Sequence, residues 1–466
     1  MEFYTEFRTR FADFSAGYAN GMTMAGSCVN DCRMISEDSD KTIYEYGDCI
    51  IESIHKKCGD VTECRSTFTN NGTETVTLEM LSSFAIHNIH ADVIHRAASF
   101  WSAEGRLISQ RLVDMHMEQA WIPVSVRLEK FGQCGSMPVK KWFPFIVLEN
   151  TVEKKFIGVQ LYCASSWQIE LFRKEEPLSL CGGLADYDFG HWCKDIEAGG
   201  SFTTPKAVIA EGNSLEEVCH KLVNAQNPRI AEPDRDMPVI FNDYCTTWGN
   251  PTEEKIEKIA QRLEGKGIKY LVIDAGWYRN EDGNWSNIGD WIVNKTAFPK
   301  GLKNTADMIR SYGLVPGLWF EFENAGLSSD AYNNTDHLLK RFGAPITVDG
   351  RRFLDMRDPW VQEYLDERVI ETLKESDMGY IKIDYNNTIG IGCDGAESLG
   401  EGLRQTIAAS QEFIKKLSSE MPDLVIENCS SGGHRHAGAV YGSSHNVKDN
   451  LYATAWQRHK KVREQE

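Results

Sequence analysis

No apolar run in this 466-residue chain approaches the roughly 20 residues that a membrane-spanning helix requires. The N-terminus, MEFYTEFRTRFADF, sets charges where a secretory leader needs its apolar stretch. Basic residues are in deficit: 50 Lys and Arg face 68 Asp and Glu, a net charge of −18, which argues against nucleic acid as the main partner. The 13 cysteines lack zinc spacing. Cys28 and Cys32 form a C-x3-C, with Cys58 and Cys64 further on, but no second close pair and no suitably spaced histidines accompany them. Free thiols are expected, and no metal. These absences predict a cytoplasmic protein without a membrane or nucleic-acid partner.

What is present divides the chain in two. The first half has strand character. In RSTFTNNGTETVTLEML, Asn71-Gly72 separates two strand-like runs, and Val76, Leu78 and Met80 alternate with polar residues. That pattern predicts a hairpin with a half-buried second strand. KKFIGVQLYCASSWQIEL supplies two more strands, and short strands continue to about Pro205, as in a large β-sandwich. A helix and a polar, proline-containing linker follow, which puts the domain boundary near Glu232: residues 1–232 are the sandwich and 233–466 the second domain.

From Met237 the order becomes strand, loop, helix, repeated. Five strands are read at PVIFNDYCTTW, which runs into a loop, IKYLVIDAGW, GLVPGLWFEFE, MGYIKIDYN and DLVIENCSS, with RRFLDMRDP as part of an excursion between the third and fourth. Asn250-Pro251 is expected to cap the helix bearing Ile256, Ile259, Ala260 and Leu263 on one face, which Gly265 and Gly267 end. Leu403, Ile407, Ile414 and Leu417 mark the buried side of a later helix. Such units predict a parallel sheet. Trp248, Asp274, Trp277, Trp319, Glu321, Asp384 and Cys429 sit at its C-terminal rim, where a (β/α)8 barrel keeps its active site. The alternative, a doubly wound sheet, would carry a Gly-rich phosphate loop after its first strand, and none is there; Gly390-Ile391-Gly392, after the fourth, is too short.

Lys382, Asp384 and Asn386 alternate along one strand and face one way. A carboxylate beside a lysine stays ionised. At a barrel rim it serves as a nucleophile or base, or else as half of a structural salt bridge. Asp274 beside Trp277, and Trp319 beside Glu321, are acid–aromatic pairings of the kind that hold a sugar, with hydroxyls on the carboxylate and the apolar ring face on the indole. The bland reading is an acid capping a turn and a tryptophan in the core. His434 and Arg435 follow Gly432-Gly433 in a loop suited to binding a hydroxyl or an anion.

WSAEGRLISQR, GGSFTTPKAVI, LVIDAGWY, GLWFEFE, LDMRDPWVQEYL, YIKIDYN and ENCSSGGHR occur in the order of a known family. Over nearly its whole length the chain resembles the family 36 glycoside hydrolases, the microbial α-galactosidases. The resemblance implies an α/β plus all-β fold, with an N-terminal β-supersandwich followed by a (β/α)8 barrel. It implies release of terminal α-linked galactose with retention through two carboxylates and no cofactor. Asp384 matches the nucleophile, Lys382 the sugar-binding lysine, and Trp319 the sugar-facing tryptophan. Cys429 and Gly432 match the loop under the sugar. Asp274 matches the first of two acids on the galactose 4- and 6-hydroxyls, and Asn386 joins the same substrate-binding set. A small oligosaccharide or glycoside is the implied substrate, and homo-oligomers are common in the family.

Two departures stand out. Ala275 replaces the second acid, which raises the alternatives of an α-N-acetylgalactosaminidase or a transglycosylase. The acid/base is also missing from its place on a sixth strand. Asp449 is the nearest candidate, in a stretch rich in Gly, Ser and Asn that makes a poor strand. The barrel is therefore expected to be incomplete, through truncation or a frameshift after Arg435. Codons for His436–Gly442 exist that, read one base later, give Leu-Glu-Pro-Ser-Met, the continuation seen in similar members, and the coding DNA tests this. A product with little activity, a truncated pseudoenzyme or sugar-binding remnant, is the corresponding alternative.

Overall fold

A computed structural model of the chain describes residues 2–10, 28–99, 105–119, 127–173, 177–226, 231–278 and 286–435. The first half consists of two antiparallel sheets. A 7-stranded sheet is built around the long strand Val76–Ile89, with Leu178–Leu184, Trp167–Arg173 and Arg127–Gln133 in succession on one side. A 10-stranded sheet runs from Arg33–Glu37 through Cys49–Cys58, Val61–Asn70, Ala207–Gly212 and Trp142–Asn150 to Arg106–Arg111. Ile51, Phe68 and Val159 of the larger sheet meet Phe84, Ile86, Trp167 and Leu171 of the smaller in one dry core. The predicted sandwich is present.

The predicted hairpin is not. Val61–Asn70 and Val76–Ile89 belong to different sheets, so Asn71-Gly72 joins the two layers at a corner. A two-residue hairpin of this composition needs positive φ at both turn residues, and neither adopts it. Asn70 organises the corner instead: its Nδ2 donates to the carbonyls of Glu74 and Ile196, and its Oδ1 accepts from Gly72 N. The strand after the corner is buried as expected, with Leu78 and Met80 in the core.

The second half holds a parallel sheet of five strands among the described residues: β1 (Val239–Asn242), β2 (Ile268–Ile273), β3 (Val315–Phe320), β4 (Tyr380–Ile383) and β5 (Val425–Asn428), paired in that order. Each pair is parallel, in register apart from one shift at the start of the β1–β2 pairing, so Lys382 stands between Trp319 and Glu427. Helices α1 (Glu253–Leu263) and α2 (Gly301–Ser311) follow the first two strands. A small antiparallel sheet that includes Arg351–Phe353 forms the expected excursion before helix α3 (Pro359–Leu365) and β4. Helix α4 (Leu399–Glu420) precedes β5. Leu403, Ile407, Ile414 and Leu417 are buried along α4 as predicted, and each fully buried side chain of this kind contributes about 2 kcal/mol.

Helix α1 starts two residues later than its sequence suggested. Thr252, not Asn250, is the cap, with its Oγ1 accepting from Lys255 N. Pro251 stays outside the helix, where its ring lies against Gly276 at the end of β2. Ser398 caps α4 and also ties it to the sandwich. Its Oγ accepts from Glu401 N and Cys193 N and donates to the Cys193 carbonyl. Ser398→Ala is expected to cost about 1–2 kcal/mol in urea denaturation; a loss below about 0.3 kcal/mol would show that water replaces all three bonds.

Candidate active site

The first residue past each parallel strand carries a functional group: Asp243, Asp274, Glu321, Asp384 and Cys429. The in-register sheet brings them to one rim. Asp384 is the half-buried centre. Its Oδ1 accepts from the backbone N–H groups of Tyr385 (2.9 Å) and Ser431 (2.8 Å), and its Oδ2 from Trp319 Nε1 (3.2 Å) and Asn386 Nδ2 (2.9 Å). A carboxylate with four donors is fixed in direction. Its own N–H donates to the Phe320 carbonyl, extending the β3–β4 pairing by one bond.

Lys382 faces the same interior and donates to Asp274 Oδ2 at 2.8 Å. Asn242 Nδ2 donates to the same oxygen at 2.7 Å, and Ala275 N donates to Oδ1. Burial opposes the Lys382 charge, but the carboxylates around it, Asp274, Glu427 and Asp384, outweigh that, and its pKa is raised. Burial, reinforced by Asp384, raises the Cys429 thiol well above its ordinary range. Cys429 is therefore a neutral group at the site floor, not a second nucleophile. Below it, burial pushes the Glu427 carboxyl up, and Tyr380 OH donates to it at 2.7 Å.

The loop after β5 is held in an uncommon backbone shape. Ser430, Ser431, Gly432 and Gly433 all have positive φ (43°, 57°, 99° and 90°), a run that costs energy at the two serines. This turn aims Ser431 N at Asp384.

The predicted cluster of Asp274, Trp319, Lys382, Asp384, Asn386 and Cys429 does converge, with Gly432 in the adjoining turn. Three other readings are corrected. Trp277 is fully buried, packs on Trp291 and Phe320, and donates its N–H to the Trp319 carbonyl, so it offers no ring face to a sugar. Gly276, at φ 101°, turns the chain inward just before it. Glu321 is also fully buried; it accepts from Asn386 N and Nδ2 and pairs with Arg351, so it braces Asn386. Arg435 is 2% exposed and forks onto Glu323, which removes it from anion binding. Trp319 is 3% exposed and turns its indole N–H toward the carboxylate. Trp248 stays 71% exposed after β1. Asp449 lies outside the described residues.

Asp243 was missed. It is fully buried, and its Oδ1 accepts from Asp274 N while its Oδ2 accepts from Thr247 Oγ1. The signal that found Asp274 and Asp384, an acid one residue past an apolar strand, is present there too. Burial pushes its carboxyl up to about 6. Between about pH 4 and that value the folded protein holds a proton that the unfolded chain has released, so stability falls as pH rises, by about 3 kcal/mol. Asp243→Asn is expected to remove that slope in urea midpoints measured across the window; an unchanged slope would assign it to other groups.

Comparisons with known proteins agree with the geometry. A sequence model of the Melibiase family matches residues 201–450, more than half of the chain. α-Galactosidase Mel36A of Lactobacillus acidophilus is 25% identical over 380 residues, 78% of this chain and 50% of that protein. α-Galactosidase AgaA of Geobacillus stearothermophilus is 30% identical over 263 residues, 54% and 36% respectively. The chain thus spans about half the length of the curated relatives it matches. Among solved structures, a variant of AgaA in complex with 1-deoxygalactonojirimycin superposes with a TM-score of 0.75 at 20% identity, over 95% of this chain and 62% of that one. AgaB of the same organism gives 0.75 at 20% identity, over 95% and 61%. Those likenesses carry the fold. With its family's sequence model spanning the parallel sheet and its rim, this chain belongs to the Melibiase family.

Proposed function

We propose that the chain is the sandwich and the larger part of the catalytic barrel of a retaining α-galactosidase, with the boundary near Glu232. The observation that carries this reading is the four-donor cradle around Asp384 at the C-terminal end of parallel strands, beside the Lys382–Asp274 pair. Asp384 attacks the anomeric carbon and forms a covalent glycosyl-enzyme, which water then hydrolyses. Lys382, Asp274 and Asn242 bind the sugar hydroxyls; Asn242 shares with Asp274 the work that a second acid at position 275 would do. Ala275 itself is buried among apolar neighbours, a place where a carboxylate would be costly. Solved relatives in complex with stachyose and raffinose support an oligosaccharide substrate. The free state of all 13 cysteines supports a reducing compartment such as the cytoplasm.

A second reading starts from the sequence, where the nearest acid/base candidate, Asp449, falls in a stretch rich in Gly, Ser and Asn. On that reading the chain binds sugar without turnover on natural substrates. General acid catalysis contributes roughly 10²–10⁴-fold, and an activated aryl leaving group does not need it. Turnover of an aryl α-galactoside but not of raffinose is the expected result for this chain. Equal rates on the aryl 2-acetamido sugar would move the assignment to N-acetylgalactosamine, and no turnover of any aryl glycoside would leave the binding reading.

A further inference from the structure

The sandwich reaches into the site through one turn, Cys134–Gly135–Ser136. Gly135 has φ 109°, and a Cβ there would stand 2.8 Å from Thr388 Oγ1 and 3.2 Å from the Gly390 carbonyl, so the turn is pressed against the loop that follows Asp384. Ser136 Oγ accepts from Tyr385 OH at 2.9 Å and from Ile389 N at 3.1 Å. Its carbonyl accepts from Arg435 Nε at 3.0 Å. Arg435 in turn forks onto both oxygens of Glu323, past the end of β3, and lies 3.4 Å over the Tyr385 ring. Ser410 of α4 donates to Glu323 Oε2, and the His434 carbonyl accepts from Val139 N of the sandwich. Arg435, Tyr385 and Ser410 are all buried.

Tyr385 and the Ser431 turn are the two segments whose backbone N–H groups hold Asp384 Oδ1. Both end in this cluster. We propose that Arg435 and Ser136 are positioning residues: a clamp by which the N-terminal sandwich sets the two backbone donors, and through them the direction of the Asp384 carboxylate. The sandwich is then part of the catalytic apparatus, with Arg435 as the pin between the β4 and β5 loops. An Arg suits this place because its planar fork satisfies Glu323 bidentately while Nε remains free for a third acceptor.

The clamp rests on Asp384 being the reacting group, so its test has one arm that does not need turnover. Amide hydrogen exchange of the full chain is compared among wild type, Arg435→Met and Tyr385→Phe. The clamp predicts exchange at Tyr385 and Ser431 faster by about tenfold or more in Arg435→Met, with β1 to β3 unchanged. Tyr385→Phe keeps the ring and loses one hydroxyl, so it folds if anything does; it is expected to shift the same two amides by a smaller factor. In the turnover arm, a misplacement of this kind lowers kcat on an aryl α-galactoside by about 10–100-fold while KM moves less than about threefold. Unchanged exchange at both amides, or equal acceleration through the whole parallel sheet, overturns the proposal. A wild type that turns over nothing while the two amides respond as predicted refutes the hydrolase reading and keeps the clamp.

Discussion

Asp384→Asn is expected to reduce kcat/KM on an activated aryl α-galactoside by about 10⁴-fold or more, the scale of losing a nucleophile. The loss has two sources. The amide cannot form the glycosyl ester. It also disturbs the cradle, because all four partners of Asp384 donate. An amide oxygen can keep the bonds from Tyr385 N and Ser431 N, but its NH2 then meets Trp319 Nε1–H. Asn386 cannot flip its own amide without turning its oxygen onto Glu321, to which the same Nδ2 donates, and the indole has no acceptor to offer. Stability is therefore expected to fall by about 1–3 kcal/mol as well, the cost of a buried donor left unmade. Rate and denaturation together separate the effects: a stable variant with wild-type turnover would remove Asp384 from the mechanism. Asp384→Gly supplied with azide gives a stricter check. Azide takes the place of the carboxylate, bonds to the anomeric carbon as the aryl oxide leaves, and yields a galactosyl azide of inverted configuration. Product with retained configuration would contradict the role.

Lys382→Met carries the second large effect. The ammonium sits among Asp274, Glu427 and Asp384, with its side chain 15% exposed and that of Asp274 4% exposed. Methionine fills the space but leaves three acids facing one another. Removing one partner of a buried pair costs about 3–5 kcal/mol, and galactose binding is expected to be lost along with it. The pH dependence has a definite sign. A lysine whose folded pKa is raised contributes stability that is complete below its unfolded value, about 10.4, and is lost only as pH rises through the higher folded value. The gap between wild type and variant is therefore expected to be flat from about pH 6 to 9 and to narrow only in stronger base. A gap below about 1 kcal/mol would mean that the pair is solvated and contributes like a surface ion pair.

The strand leading to Asp384 was the most legible part of the sequence, because Lys382, Asp384 and Asn386 lie at alternate positions and alternation alone puts them on one side. The roles of the two tryptophans were not. Trp277 and Trp319 are both buried, and only the partner of the indole N–H, the Trp319 carbonyl for one and Asp384 for the other, separates them. Glu321 was read as a sugar ligand because its partner, Arg351, arrives from an excursion 30 residues later, and no local pattern announces it. The Asn71-Gly72 hairpin failed for a related reason: the dipeptide permits positive φ, but whether the chain turns back or crosses to the other sheet is settled by Asn70 and the Ile196 carbonyl, far away in sequence. Arg435 was misread because its acceptors, Glu323 and the Ser136 carbonyl, come from two different domains. Short-range periodicity carried the elements, and contacts across domains carried the roles.

The four left-handed residues from Ser430 to Gly433 have a consequence for anyone building variant libraries of this protein. A substitution at Ser431 would be scored by its side chain, yet what the site takes from that position is a peptide N–H and a φ of 57°. Asn or Gly can supply both, whereas β-branched Val or Ile cannot adopt the turn without strain. A tolerance map of this loop would thus sort amino acids by handedness instead of polarity or size, a selection rule written in the main chain.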